Sequence, residues 1–432
     1  MDRQSLVLYR CPGEDHLIDR SQHLGRLANF YPACRQCPHN SDVGDLPIAH
    51  SRQLTTVHER EPAGSLFGTE GFGGVCSNQL DARAARRFGA AFGGALKQAG
   101  ASAEGDGSVV LGSDGRSLTA ELLAAAGEGV RLAGWRVIEI EAATAPCLAN
   151  LVHQQKVRGG LYVGNAASQA HTASLSVWGP GAMDWSAGGN LDLVRQIFEG
   201  QTDREGRKSG GLARISAAEH YLPWLRERFH ALRPLRMVVD TVSQPLINYL
   251  RDLTSTTACQ IIRPSDARGR VQPHSVERST TSNDFIGRRL NSVSQQVCER
   301  AAHFGAWIDG NAEVCHFVDQ HGHVIGGERM LVLLAGYLRD EQSRHTVVIE
   351  PNVSNEARRR LRSLSFKVVE SDSAREAMAD KMCNRTALCG GGSSGRFWFG
   401  HAPPLSDALH ALSLLLTLLS RTDEPLSAVL GN

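Results

Sequence analysis

Between residues 82 and 370 short apolar runs of strand length alternate with stretches of helical periodicity, and the alternation comes round three times. A strand that is apolar throughout must be covered on both faces, and helices on either side in sequence supply the cover. That combination restricts the chain to an α/β architecture. In the first round the pattern predicts helices over 82–100, 118–133 and about 147–155, and strands over 108–112, 135–140 and 160–164. The second round predicts strands at 235–240, 259–262 and 306–308 with a helix at 245–253. The third predicts helices at 328–339 and 355–364 and strands at 346–350 and 367–370. At 432 residues and 41% hydrophobic content the chain can bury several domain-sized cores without staples.

Charge narrows the partners. With 46 Lys plus Arg against 45 Asp plus Glu, the net charge of +1 provides no general field for nucleic acid or for a membrane surface, so neither is expected. Lysine occurs only at Lys97, Lys156, Lys208, Lys367 and Lys381. The first fifteen residues contain no apolar signal-like core. The longest apolar stretch, 408–419, is too short to span a bilayer and carries His410, so a soluble, cytoplasmic protein is expected.

Seven of the ten cysteines (Cys76, Cys147, Cys259, Cys298, Cys315, Cys383, Cys389) sit singly among apolar or small residues, the pattern of reduced core thiols. Cys11, Cys34 and Cys37 differ, because Cys34-Arg35-Gln36-Cys37-Pro38 is a C-x-x-C segment with a third thiol upstream. Tetrahedral zinc needs a fourth ligand. His16, His23 and His39 are available, and His23 is favoured because it opens a helical stretch (Leu24, Leu27, Phe30) able to pack beside Cys34. A structural Cys3His zinc site on Cys11, His23, Cys34 and Cys37 therefore stands against reduced, unliganded thiols. A segment of this kind ahead of residue 64 reads as a small docking module, with a homo-oligomer or a protein partner as its implied associate.

The segment Phe67-Gly68-Thr69-Glu70-Gly71-Phe72-Gly73-Gly74 resembles the opening F-G-T-D-G-x-R-G of α-D-phosphohexomutases. Gly112-Ser113-Asp114-Gly115-Arg116 is similar to that family's G-x-D-x-R, with Asp114 and Arg116 as inherited loop residues. Thr144-Ala145-Pro146, Trp178-Gly179-Pro180, Asp309-Gly310, Ser394-Gly395 and Asp407-Ala408 follow in family order. The resemblance covers about 65–426. It implies three successive α/β domains with mixed sheets, expected at 64–205, 206–322 and 323–432 behind a Cys/His segment at 1–63. The sequence reaches Asn432 just beyond Pro425-Leu426-Ser427, where the family's fourth domain would begin, so that domain is expected to be absent.

The resemblance also implies a covalent mechanism in which a serine carries a phosphoryl group to and from a sugar phosphate. Aligned without gaps between 160–164 and Trp178, Val163-Gly164-Asn165-Ala166-Ala167-Ser168-Gln169 lies against I-T-A-S-H-N-P, which puts Ala166 at the serine position. Ser168 is the substitute candidate, on a re-registered loop. The family's D-G-D-x-D-R magnesium loop reads Asp309-Gly310-Asn311-Ala312-Glu313-Val314, so Mg2+ is expected to bind weakly if at all. A Gly-containing turn also explains Asp309 through its own hydrogen bonds. The sugar-reading G-E-x-S-G-H has become Gly391-Gly392-Ser393-Ser394-Gly395-Arg396, where the glycine run and Arg396 remain suited to a sugar phosphate or another anion. The expectation is a phosphohexomutase-fold protein without catalysis, acting in binding, regulation or as a scaffold. The alternative is a divergent sugar-phosphate mutase, an intramolecular phosphotransferase of carbohydrate metabolism, with a relocated nucleophile such as Ser168.

Overall fold

The computed structural model describes residues 8–11, 17–29, 31, 34, 37–48, 51, 66–76, 79–100, 106–164, 172–200, 210–264, 282–341, 343–400 and 403–431. At the N-terminal end β1 (Tyr9–Arg10) pairs antiparallel with β2 (Leu17–Ile18), ahead of helix α1 (Arg20–Ala28). The Asp19 carboxylate accepts from Gln22 N at 2.8 Å and caps α1. The helix therefore starts at Arg20 rather than at His23, a correction that the cap explains.

The first α/β unit contains β3 (Phe72–Val75), α2 (Ala82–Ala99), β4 (Asp106–Ser113), α3 (Ser117–Leu132), β5 (Arg136–Ile140) and α4 (Ala145–Gln154). It continues with β6 (Val157–Gly164), β7 (Thr172–Trp178), α5 (Asn190–Glu199) and β8 (Leu212–Ile215). Its sheet order is β3-β7-β6-β4-β5-β8. Val109, Val110 and Leu111, like Leu161, Tyr162 and Val163, are buried on both faces, which is why these runs read as continuous apolar strands. The strand β8 lies beyond residue 205 yet pairs parallel with β5, so the first unit reaches Ile215.

The second unit has α6 (Ala218–Arg226), β9 (Arg236–Thr241), α7 (Gln244–Thr254), β10 (Gln260–Ile262) and α8 (Ser282–Glu299). β11 (Phe304–Ile308), β12 (Cys315–Val318) and β13 (Val324–Ile325) complete it, in the order β10-β9-β11-β12-β13. The third has α9 (Gly327–Arg339), β14 (Thr346–Ile349), α10 (Asn355–Ser363), β15 (Lys367–Glu370) and α11 (Arg375–Asn384). β16 (Cys389–Gly391), β17 (Phe397–Phe399) and β18 (Leu405–Ser406) finish its sheet, β15-β14-β16-β17-β18, and α12 (Ala408–Ser420) follows. Both sheets have three parallel strands followed by two antiparallel ones. The first unit repeats this pattern in β5-β4-β6-β7-β3, with its last strand supplied from upstream. In the second and third units one hairpin loop, 309–314 and 392–396, joins the last parallel strand to the first antiparallel one. The corresponding segment between β6 and β7, 165–171, lies outside the described residues.

One apolar cluster crosses all three units, from Val110 and Leu148 through Leu246 and Ile308 to Val347, Leu412 and Leu415. At its centre α12 is apolar on every side, the signature of a fully buried helix. Among the described residues no helix is long and apolar enough to cross a membrane. Two of the expected core thiols are corrected: Cys298 and Cys383 are exposed, because they lie on the solvent faces of α8 and α11, and Cys259 is half-buried.

Candidate functional site

The loops 309–314 and 392–396 converge beside the end of β6 at Gly164. The segment that follows β6, with Ala166 and Ser168, lies outside the described residues. A Cβ built on Gly164 would lie 2.4 Å from Asn311 Oδ1, so the loop 309–314 abuts the end of β6. Ala145 N donates to Asn311 O at 3.1 Å, tying the start of α4 to the same loop. Cys315 N donates to Gly395 O at 2.9 Å, and Val314 forms an isolated bridge with Arg396, which brings in the third loop. Gly395 has φ +81° and its Cβ position is 2.8 Å from the His316 ring, so glycine is required there. The structure thus gathers Asp309, Asn311, Glu313, Gly392, Ser394 and Arg396 at the junction of three units.

Asp114 and Arg116 flank the end of β6. Arg116 Nε meets Asp114 Oδ2 at 2.6 Å, Thr119 Oγ1 donates to Asp114 Oδ1 at 2.8 Å, and Arg116 Nη2 donates to Gly164 O at 3.4 Å. The pair therefore fixes that strand end.

In the second loop Asp309 is 2% exposed, and its Oδ1 accepts from Glu313 N at 2.7 Å and Val314 N at 3.0 Å. Burial, with the Glu313 charge beside it, pushes the Asp309 carboxyl up to about 7. Asn311 Nδ2 donates to Glu313 Oε2 at 3.3 Å, and Glu313 Oε1 is 3.1 Å from Arg375 Nη2. The same Arg375 nitrogen ion-pairs with Asp184, a residue of the first unit. Burial raises the Asp184 carboxyl to about 6, against the pull of the Arg375 charge in the other direction. Burial opposes the Arg375 charge, but Asp184, Glu313 and Glu70 hold it firmly protonated. Its guanidinium also lies over Trp178, 5.1 Å from the ring centroid.

The third loop reaches back to the opening motif. Arg396 donates from Nη1 and Nη2 to Glu70 Oε1 and Oε2 at 2.6 and 2.5 Å, a bidentate fork. Burial pushes the Glu70 carboxyl up, but Arg396 and Arg375 outweigh it and hold the group below the usual carboxylate range. Two departures from the family motifs therefore complement each other, since the longer carboxylate at Glu70 meets the cation at Arg396. The other departure, Gly392, is also explained, because a Cβ there would lie 2.5 Å from Glu350 Oε2. Glu350 accepts from Ser394 N at 3.1 Å and from Ser394 Oγ, and Ser393 and Ser394 are both exposed.

Sequence reasoning missed Asp184, Glu350 and Arg375. Only Trp178-Gly179-Pro180 pointed near Asp184, and nothing in the helical pattern of α11 marks its first residue as buried. Beside Arg375, a cavity of about 450 Å3 is lined by Met183, Ser186, Asn190, Asp372, Glu376 and Asp380.

Hard, octahedral Mg2+ calls for unengaged carboxylate oxygens. Here Asp309 spends an oxygen on two amides, Asn311 is neutral and Glu313 is paired with a guanidinium, so the loop does not fit the ion. At the N-terminal end Cys34 packs with Leu27, and Cys11 with Tyr9 and Ile18, in separate clusters. His23 stacks on Tyr9 and places Nε2 3.0 Å from Asp42 O, while Arg26 donates to Cys11 Sγ at 2.9 Å. Among the described residues no group of three or more His, Cys, Asp or Glu is arranged to hold a metal.

Residues 64–171 match domain I of the phosphoglucomutase/phosphomannomutase family, an α/β/α domain, and residues 326–432 match domain III. A phosphoglucosamine mutase of Corynebacterium jeikeium is 26% identical over 379 residues, 84% of this chain and 81% of the enzyme. One from Rippkaea orientalis is 23% identical over 412 residues, 91% of this chain and 80% of the enzyme. Among solved structures, a phosphoglucomutase/phosphomannomutase family protein of Burkholderia thailandensis superposes with TM-score 0.73 at 20% identity, over 85% of this chain and 79% of that one. A putative phosphomannomutase of Thermus thermophilus gives 0.69 at 20% identity, over 84% and 82%. The repeated sheet pattern, the converging loops and these likenesses agree, and the chain belongs to the α-D-phosphohexomutase superfamily.

Proposed function

We propose that the chain is a divergent sugar-phosphate mutase, an intramolecular phosphotransferase acting on a phosphorylated hexose or hexosamine. The observation that carries this reading is the charge set at the junction, with Asp184, Glu313 and Arg375 buried and Glu70 and Arg396 half-buried beside them. Burying ions costs free energy that well-packed apolar residues avoid, so such a cluster at the junction of a mutase-lineage fold favours a ligand-handling site over an inert one. Arg375 and Arg396 supply positive charge for a phosphoryl group. Glu70, the most exposed carboxylate of the set with 31% of its side chain accessible, is the group that an incoming phosphate would exchange with on Arg396. The phosphoryl carrier is then a hydroxyl other than position 166, with Ser168 nearest in sequence.

Ala166 and the mutual pairing of these charges favour a second reading, a non-catalytic sugar-phosphate binder. One experiment separates the two. Interconversion of hexose and hexosamine 1- and 6-phosphates, primed with bisphosphate, is measured for the wild type and Ser168→Ala, with mass spectrometry for phosphoserine. Turnover lost in Ser168→Ala establishes the mutase. Binding without turnover by either protein establishes the binder.

A further inference from the structure

We propose that Arg375 takes the place of a divalent cation at the three-unit junction, so that the junction is a metal-free site charged by arginine. The guanidinium belongs to the third unit, and a single nitrogen, Nη2, serves carboxylates from the other two: Asp184 of the first and Glu313 of the second. Joining carboxylates from separate segments at one positive centre is the structural task of a bound metal. Arg375 is 2% exposed and stacked over Trp178, so a cation would have to expel a buried, multiply held side chain to enter. The remaining loop residues give it nothing better, since Asp309 is engaged by two backbone amides and Asn311 has no charge. Nor are the donors all spent: Nε of Arg375 and Nε of Arg396 are buried without a hydrogen-bond partner among the described residues. A buried donor of this kind favours an anionic oxygen as its ligand. The consequence for ligand binding rests on the sugar-phosphate reading above: a phosphorylated sugar would be met by guanidinium N–H groups, and chelators would leave its affinity unchanged.

The full chain is titrated with Mn2+, followed by electron paramagnetic resonance and by melting temperature. The wild type is expected to bind no ion at the junction and to show no shift. Arg375→Gln, which strips the cation from Asp184 and Glu313, is expected to melt lower and to recover about 2–4 °C with Mn2+. One Mn2+ per wild-type chain, lost in Asp309→Asn, overturns the proposal, and so does an Arg375→Gln protein that melts lower without any Mn2+ response. Should Arg375→Gln fail to fold, the wild-type titration decides, with Arg375→Lys expected to stay blind to Mn2+. Glucose 6-phosphate binding is measured with and without EDTA, and abolition by EDTA counts against the proposal. Absence of sugar-phosphate binding in both arms strikes only the functional reading and leaves the Mn2+ result standing.

Discussion

Arg396 grips Glu70 across 326 residues of sequence, both terminal guanidinium nitrogens meeting a carboxylate oxygen at 2.6 and 2.5 Å. The fork ties the third hairpin loop to the opening turn of the first unit, so it acts as a latch between units. With 31% of the Glu70 side chain accessible, solvent screens part of the attraction, and the expected coupling is about 1 kcal/mol. A double-mutant cycle of Glu70→Gln and Arg396→Met, read from urea midpoints, checks it, and additive single effects would show that the latch contributes nothing.

Asp407 caps α12 by accepting from His410 N at 2.9 Å and also accepts from Tyr221 OH at 2.7 Å. Burial nevertheless lifts its carboxyl from 3.8 to about 6. Its folded pKa lies above the unfolded one, so its stabilising contribution is complete below about pH 4 and is lost as pH rises through 6. Asp407→Asn keeps an acceptor for His410 N, turns the Tyr221 contact round so that the amide Nδ2 donates to the phenol oxygen, and removes that titration. Relative to the wild type, the variant is expected to gain of order 3 kcal/mol between pH 4 and pH 7.5, measured by denaturant unfolding at each pH. An unchanged difference across that range would refute the assignment.

The apolar cluster shared by the three units implies that they unfold together. Leu412 and Leu415 on α12 are completely buried, and truncating either to alanine is expected to cost about 2–5 kcal/mol. Calorimetry should show one transition moving as a whole. A split into separate transitions would show that the units are energetically independent.

What could be read in the sequence follows from the range of each signal. The runs in β4, β6, β9 and β14 are apolar on both faces, so local composition alone exposed them. The two-residue strands β13 and β18 are too short for any period to register. The loops at 309–314 and 392–396 were legible because motif residues keep their spacing. Their partners were not, because Arg375 and Asp184 are 191 residues apart and only the fold joins them. Arg396 read as a loss within its own loop and Glu70 only as part of the opening motif, since charge complementarity across domains leaves no mark in either local motif.

Ala166→Ser is the substitution that the family motif invites, and it is expected to leave turnover within about twofold of the wild type. A nucleophilic hydroxyl lowers the barrier only where charge on the moving phosphoryl group is already met by fixed donors. At this junction Arg375 is shared with Glu313 and Asp184, and Arg396 with Glu70, so the arginines offer a phosphoryl group only part of their charge and no metal ion adds to it. A serine added at 166 therefore gains an oxygen in weaker electrostatic surroundings than a metal-loaded site provides, a deficit of several kcal/mol in the transition state. Comparing kcat/KM for 1- and 6-phosphate interconversion by the wild type, Ala166→Ser and Ala166→Ser with Arg375→Gln in Mg2+ separates the two requirements. A large gain in Ala166→Ser alone would mean that the nucleophile was the one missing element and that the arginine-filled junction is no obstacle.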